Sequence, residues 1–442
     1  MESWLARAAR LRGDRAALIT AGATVDYASL HAQAGAVAGA LVARGVTAGD
    51  RVALPLPSDE LVVALHGCLL LGAVAVPVDL RLRDHERSAR TEAAALVLDE
   101  LPTGGPPPPG REIESDATAT LMFTSGTTAG PKPVALSYDN WLWNALGSSL
   151  ALGLDPHEVW LCPMPLAHVG GLSIQIRSAI YGTTVLLHDR FDTEQALAAL
   201  MDPGQRVTLV SLVPTMLSRL LDAGLREPPT LRSVLLGGGP IAPALLARAR
   251  AAGVAVAPSY GMTEACSQIA TDGFPLLGTE VRIASAPPAP GRGAGGTPDT
   301  APVVGEVLVR GRTVAAGALH PDGWLHTGDL GRFDDGGRLV IDGRTADTIV
   351  TGAENVAPAE VEAVLLEHAG VADAAVFGRP DGEWGEAVIA QVVLADGVAL
   401  DAEELRAHCI RRLAPFKVPK RFETAAAIPR GVTGKLLRRE LS

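Results

Sequence analysis

Ten residues, FTSGTTAGPK from Phe123 to Lys132, carry four hydroxyls, two glycines and a lysine. Glycines expose backbone N–H groups, and hydroxyls with an ammonium add donors, so a phosphate is the chemistry such a loop suits. The spacing is not the familiar G-x-x-x-x-G-K-[ST] loop: Gly126 and Gly130 are too close and Pro131 precedes Lys132. The stretch therefore either grips phosphates in another way or is a polar turn.

Four further stretches carry groups that could do chemistry, each with a plain structural reading beside it. In SYGMTEA (Ser259–Ala265), Thr263 could cap a helix and Glu264 sit in its first turn, or the Glu264 carboxylate could hold a Mg²⁺ that also meets nucleotide phosphates. In HTGDLG (His326–Gly331), the Gly328–Asp329 pair reads as a turn, or Asp329 accepts from a ribose diol. Arg344, in GRTADTIVTGAENVAPAEVE, is either an ion-pair partner or a ligand contact. Lys435, in IPRGVTGKLLRREL, belongs to a basic run that would normally face solvent, but Gly431 and Gly434 put it on a turn from which an ammonium could reach a phosphate. Of 38 basic residues only Lys132, Lys417, Lys420 and Lys435 are lysines, which points to sites that need a compact ammonium.

The elements that must position these groups follow from pattern. Short apolar runs (RVALPLP, VAVPVD, TTVLLH, RVTLVSLVP, SVLLGGG, VAVAPSYG) alternate with helical stretches such as PTMLSRLLDAG, which implies α/β architecture with mostly parallel sheets. Leu61–Val78 has no formal charge, yet His66, Gly67, Gly72 and Pro77 break it; a helix over Glu60–Leu71 and a strand over Ala73–Val78 fit better than a membrane span. Proline- and glycine-rich stretches, Pro102–Glu112 and Ala286–Pro302, read as surface loops. Short strands in GEVLVRG and GRLVIDGR suggest a small β-rich subdomain. Beyond Gly343 the order helix, strand, strand, helix (Pro358–His368, Ala372–Phe377, Ala387–Leu394, Ala402–Leu413) reads as an independent α+β unit. The expected division is residues 1–343, a large N-terminal domain of two mostly parallel α/β sheets plus the β-rich subdomain, and 344–442, a small mobile C-terminal α+β domain. A net charge of −11 argues against nucleic acid as a partner, and scattered Cys68, Cys162, Cys266 and Cys409 read as buried reduced thiols of a cytoplasmic protein with no membrane insertion.

Taken together and in order, the five motifs resemble those of the adenylate-forming superfamily of acyl- and aryl-CoA synthetases, over nearly the whole chain. The resemblance implies attack of a carboxylate on the α-phosphate of ATP to give an acyl-adenylate, then transfer of the acyl group to the thiol of coenzyme A. It assigns Thr124, Ser125, Gly126, Thr127, Thr128 and Lys132 to the β- and γ-phosphates, Glu264 to Mg²⁺ and Thr263 to a phosphate. It assigns Gly237, Gly238, Gly239, Ser259, Tyr260 and Gly261 to the adenine site, Asp329 and Arg344 to the ribose, and Lys435, beside Gly434, to the adenylation step. The C-terminal domain is expected to swing between the half-reactions, a face near Thr351–Asn355 then meeting the thiol. His168, opening HVGGLS, is expected to line the acyl pocket and gate the thiol's route.

Three positions depart from the superfamily pattern: Ala129 and Pro133 stand where glycines are usual, and Ala346 where an acidic residue or lysine is usual. The chain is also short for the superfamily. Its length, SYGMTEACSQI and the run Trp160–Asp192 look most like the o-succinylbenzoate–CoA ligases of menaquinone biosynthesis. Their acid has two carboxylates, and Arg177, four residues after Ser173 on an otherwise apolar helix face, is the candidate for the non-reacting one, with Ser267 or Gln268 helping. An arginine ion-paired elsewhere in the protein is the competing reading. Alternatives for the whole chain are an acyl- or aryl-CoA synthetase of other specificity, a free-standing adenylation enzyme loading a carrier protein, and a nucleotide-binding protein without catalysis. A homodimer is compatible with all of them.

Overall fold

The structure, a computed structural model, describes residues 1–102, 104–108, 112–124, 132–284, 304–344, 347–351, 354–381, 384–395, 397–399, 401–430 and 436–441, except the side chains of 354, 355 and 439. Four sheets organise these residues. The largest has nine strands. Its middle is parallel, in the order Val256–Met262, Ser233–Leu236, Leu209–Leu212, Val159–Cys162, Thr184–Leu187, Ala16–Ile19, and antiparallel strands close both ends. A second sheet has five strands, with Arg51–Leu54, Val74–Pro77, Leu96–Val97 and Thr118–Phe123 parallel and Pro133–Ser137 antiparallel at the edge. The sequence expectation of two mostly parallel sheets therefore holds. The helix Ser58–Leu71 and strand Val74–Pro77 stand where the uncharged run was expected to form them.

Strands such as Leu209–Leu212 and Thr184–Leu187 are buried on both faces, which is why they read as unbroken apolar runs. One core fills the space between the two parallel sheets. The helices Tyr27–Ala43, Ser58–Leu71, Tyr138–Leu152 and Val169–Tyr181 contribute Leu41, Leu65, Trp141 and Ile176 to it, against Leu54 of one sheet and Trp160 of the other. The outer face of the nine-stranded sheet is covered by the helices Thr193–Met201, Pro214–Asp222 and Pro243–Ala251, whose Leu200, Leu217 and Leu245 pack on Val210 and Val234. Each fully buried leucine there contributes about 2 kcal/mol. Helix ends are set locally: Asp26 caps one helix by accepting from Ser29 N–H, Ser137 and Asn140 form a capping box, and Gly72 and Gly182 end their helices in the left-handed conformation.

The β-rich subdomain is a four-stranded antiparallel sheet, Thr279–Ile283, Gly305–Gly311, Leu325–Phe333 and Leu339–Arg344. The C-terminal α+β unit carries the hairpin Val371–Asp381 and Gly385–Leu394, with Arg421–Thr424 added in parallel, and the helices Pro358–Leu365 and Ala402–Ile410. Val361, Leu405, Val376 and Val388 form its own core. The expected stretch Ala286–Pro302 lies outside the described residues, and Pro102–Glu112 has no regular structure where it is described. All four cysteines are buried and free. Among the described residues no helix is long and apolar enough to cross a membrane.

Candidate active site

Several of the residues picked out by sequence follow the carboxyl ends of parallel strands, where an α/β sheet opens its ligand crevice. Val159–Cys162 leads to His168, Ser233–Leu236 to Gly237–Gly239, Val256–Met262 to Thr263 and Glu264, and Thr118–Phe123 of the second sheet to Thr124. The two sheets meet at this edge: Nε2 of His168 lies 3.9 Å from Oδ2 of Asp79, which follows the strand Val74–Pro77. Burial raises the Asp79 pKa, but the side-chain and backbone hydrogen bonds from Arg81 outweigh it and hold the carboxyl low. Sequence reasoning did not select Asp79.

Backbone demands explain the glycines. Gly238 has φ +80°, open to glycine at little cost, and a Cβ on Gly237 would sit 3.0 Å from the Ser259 carbonyl oxygen. At Gly261 the restriction is harder, since a Cβ would fall 1.6 Å from the Ser267 carbonyl oxygen. Two strands can approach so closely only through a glycine, and this approach fixes the turn between them. That turn, Thr263–Ala265, is a single 3-10 turn and not the start of an α-helix; Met262 stands at its N-cap and no side chain caps it. The capping reading of Thr263 is thereby corrected. Cys266 and Ser267 follow with φ of 54° and 89°. Non-glycine residues held in such conformations cost about 1–3 kcal/mol each, and they cluster at functional sites.

Asp329 lies in the middle of the strand Leu325–Phe333, so the expected turn at Gly328–Asp329 is not formed. The chain keeps its pairing with Gly305–Gly311 by a bulge between His326 and Leu330, with Gly328 at φ 69°. Buried Asp329 accepts from the Tyr260 hydroxyl at 2.7 Å and pairs with Nε of Arg344 at 2.9 Å, its cross-strand neighbour. Burial, then the charge of Asp329, pushes the Tyr260 phenol far up, so it donates. Motifs that are remote in sequence thus form one polar cluster.

The helix Val169–Tyr181 packs against the strand Ser267–Thr271 that follows the Thr263–Ala265 turn. Ser173 is buried and its hydroxyl donates to Gly170 O at 3.1 Å. Arg177 is 1% exposed, and among the described residues no carboxylate pairs with it, so no ordinary ion pair is seen there. Its partner is Asn144 of the helix Tyr138–Leu152: Nε and Nη2 both donate to the Asn144 Oδ1, Nε at 3.1 Å, while Asn144 Nδ2 donates to Gln268 O at 3.3 Å. The indole of Trp160 lies 5.7 Å from the guanidinium carbon. Gln268 Nε2 donates to Thr271, leaving Oε1 buried without a partner. Asn144 was not selected from sequence, although a polar residue beside Trp141, Ala145 and Ser148 on a buried helix face was a usable signal.

Thr124 and Lys132 close the base of the opening loop through a hydrogen bond from Thr124 N to Lys132 O of 3.0 Å. Lys132 is exposed. Pro133, one of the departures, is the first residue of an edge strand, where a missing N–H costs no ladder bond. Ser125, Gly126, Thr127, Thr128, Ala129, Ala346, Gly434 and Lys435 lie outside the described residues. Glu264, in the Thr263–Ala265 turn, offers a carboxylate, a hard oxygen ligand. One carboxylate plus substrate phosphates is the usual way to hold Mg²⁺, so the residues fit that ion better than a transition metal.

Comparisons with known proteins show the family and the fold. A family model described as AMP-binding enzyme matches residues 5–98 and 90–319, and one described as AMP-binding enzyme C-terminal domain matches 360–435. A 2-succinylbenzoate–CoA ligase of Bacillus licheniformis is 41% identical over 485 aligned positions, covering 99% of each protein. The o-succinylbenzoate CoA synthetase of Bacillus subtilis, in complex with the acyl-adenylate intermediate OSB-AMP, aligns with a TM-score of 0.88 at 36% identity, over 100% of this chain and 98% of that one. The same enzyme in complex with ATP and magnesium ion gives 0.87 at 37% identity, over 100% and 99%.

Proposed function

We infer the activity from one premise: the chain belongs to the AMP-binding enzyme family. It is an AMP-forming acid–thiol ligase that takes o-succinylbenzoate, ATP and coenzyme A to o-succinylbenzoyl-CoA through an acyl-adenylate, a step of menaquinone biosynthesis. The roles of individual residues are our reading. Adenine lies between Gly237–Gly239 and the Ser259–Gly261 strand, while Asp329 and Arg344, steadied by Tyr260, take the ribose hydroxyls. Thr124 to Thr128 and Lys132 hold the β- and γ-phosphates, with Thr263 contributing a hydroxyl. Mg²⁺, held by Glu264 and the phosphates, would neutralise charge on the phosphate oxygens.

Adenylation builds negative charge at the α-phosphate, so positioned donors and cations do most of the work. Lys435 supplies the cation there, carried by a mobile C-terminal domain beginning near residue 344. Movement of that domain then clears the path for the thiol, past His168 and the Thr351–Asn355 loop. The second carboxylate of the acid meets Arg177, with Ser173, Ser267 and Gln268 lining its approach. A single observation carries this assignment of the pocket: a fully buried guanidinium with no described carboxylate to neutralise it. A buried charge costs several kcal/mol unless compensated, and a dianionic substrate supplies the compensation. We place the enzyme in the cytoplasm with its ATP and CoA, and a homodimer as its assembly, to be checked by light scattering.

The test is a mass-spectrometric assay with ATP, Mg²⁺, CoA and a panel of acids including o-succinylbenzoate, run on wild type and Lys435→Ala. We expect o-succinylbenzoyl-CoA and AMP to dominate and the variant to lose adenylate formation. Preference for a monocarboxylic acid would remove the role of Arg177. Adenylate formed without transfer to CoA would indicate a carrier protein as acceptor. ATP binding without turnover of any acid would sink the enzymatic reading.

A further inference from the structure

Arg177 is unusual in what it is given as a partner. Its guanidinium is buried, and the side chain that grips it, through both Nε and Nη2, is the neutral amide of Asn144. An aspartate there would make the same two hydrogen bonds and cancel the charge. Among the described residues, the other titratable groups that act on it, Tyr181 and Cys266, are also uncharged. Burial pushes the Tyr181 phenol up to about 12 and the Cys266 thiol well above its ordinary value, and the Tyr181 hydroxyl donates to Ala145 O. Trp160 offers only a ring. The site therefore holds a fixed cation in neutral surroundings. Asn144 is fully buried and is itself anchored to Gln268 O, on the strand paired with the Gly261 segment.

We propose that Asn144 is a specificity-determining positioning residue, which fixes the Arg177 guanidinium with a neutral acceptor and so leaves its charge for the second carboxylate of the acid. The proposal rests on the reading that Arg177 meets that carboxylate. Gln268, whose backbone carbonyl anchors Asn144, brings a second polar side chain to this region. It is 1% exposed, and its amide has one end on Thr271 and the other unpartnered. Amide oxygen and nitrogen are interchangeable by a flip, so the unpartnered end can present N–H donors to an anion.

The experiment measures pyrophosphate release from ATP with o-succinylbenzoate and with each of its two monomethyl esters, for wild type, Asn144→Asp, Asn144→Ser and Arg177→Gln, with thermal unfolding of each protein. For Asn144→Asp we expect kcat/KM on the diacid to fall at least about tenfold, through KM, while turnover of the accepted monoester changes less than twofold. Asn144→Ser, which keeps a neutral acceptor, should retain the preference for the diacid. If Asn144→Asp keeps wild-type selectivity, or loses both substrates equally along with stability, the proposal is wrong. If Arg177→Gln keeps the diacid preference, the underlying reading fails and takes this proposal with it. If Arg177→Gln abolishes the preference and Asn144→Asp does not, only the role of Asn144 falls.

Discussion

The hydroxyl of Tyr260 lies 2.7 Å from Oδ2 of Asp329, joining the end of the nine-stranded sheet to the antiparallel subdomain. Arg344 holds the other oxygen of the same carboxylate but is half-exposed, so water screens that pair and the tyrosine is the firmer partner. Tyr260→Phe should lower unfolding free energy by about 1.5–3 kcal/mol, the size of a hydrogen bond to a charged group. It should also raise KM for ATP about tenfold with a smaller effect on kcat, if the bond steadies a ribose ligand. Steady-state pyrophosphate release and thermal unfolding of the same preparation separate the two. A loss of stability with unchanged KM would confine the bond to a structural role.

Gly261 offers a sharper test of how the Glu264 turn is held. Any side chain there meets the Ser267 carbonyl oxygen, so Gly261→Ala forces two paired strands apart. We expect a loss of about 3 kcal/mol in stability and a loss of ATP binding, measured by chemical denaturation and by titration calorimetry. Gly22→Ala, at a position where a Cβ would meet nothing within 4 Å, is the control and should be close to neutral. A Gly261→Ala variant as stable and as tightly binding as wild type would show that the close approach does not govern the turn.

Most of the fold was legible because its signals are local. Parallel strands buried on both faces announce themselves as apolar runs, and the helix Ser58–Leu71 was readable from where glycine and proline interrupt an uncharged stretch. Arg177 was legible for a similar reason, as a charge on an apolar helix face. Asp79 and Asn144 were not, because their importance comes from what the fold sets beside them: His168 for the first, Arg177 and Gln268 for the second. The Gly328–Asp329 pair misled in the opposite direction. Its composition is that of a turn, and only pairing with Leu339–Arg344 on one side and Gly305–Gly311 on the other makes it strand.

Lys132 allows binding chemistry to be separated from stability. It is exposed, and the hydrogen bond it gives the loop base uses its carbonyl oxygen, which substitution leaves in place. Lys132→Ala should therefore change unfolding free energy by no more than about 0.5 kcal/mol. If its ammonium meets the leaving pyrophosphate, adenylation should slow by about a hundredfold, in the range found when one electrostatic donor is removed. Rapid-quench measurement of acyl-adenylate formation reads this directly. A variant that adenylates at the wild-type rate would remove Lys132 from the phosphate site.

His66 sets an acid limit on the fold. It is buried within the helix Ser58–Leu71, and burial, helped by the charge of nearby His31, lowers its pKa from 6.5 to about 4. The native state thus resists protonation where the unfolded chain accepts it, so stability is fully present above the unfolded value of 6.5 and is lost as pH falls toward about 4. A shift of this size corresponds to roughly 3 kcal/mol across that window. His66→Gln fills a similar volume without titrating. Its stability at pH 7 should be somewhat below wild type, because a buried amide needs partners, but its decline between pH 6.5 and pH 4 should be shallower by roughly 3 kcal/mol. Denaturant midpoints collected across that range decide the matter. Parallel curves for the two proteins would mean that His66 is not the group whose protonation opens the fold.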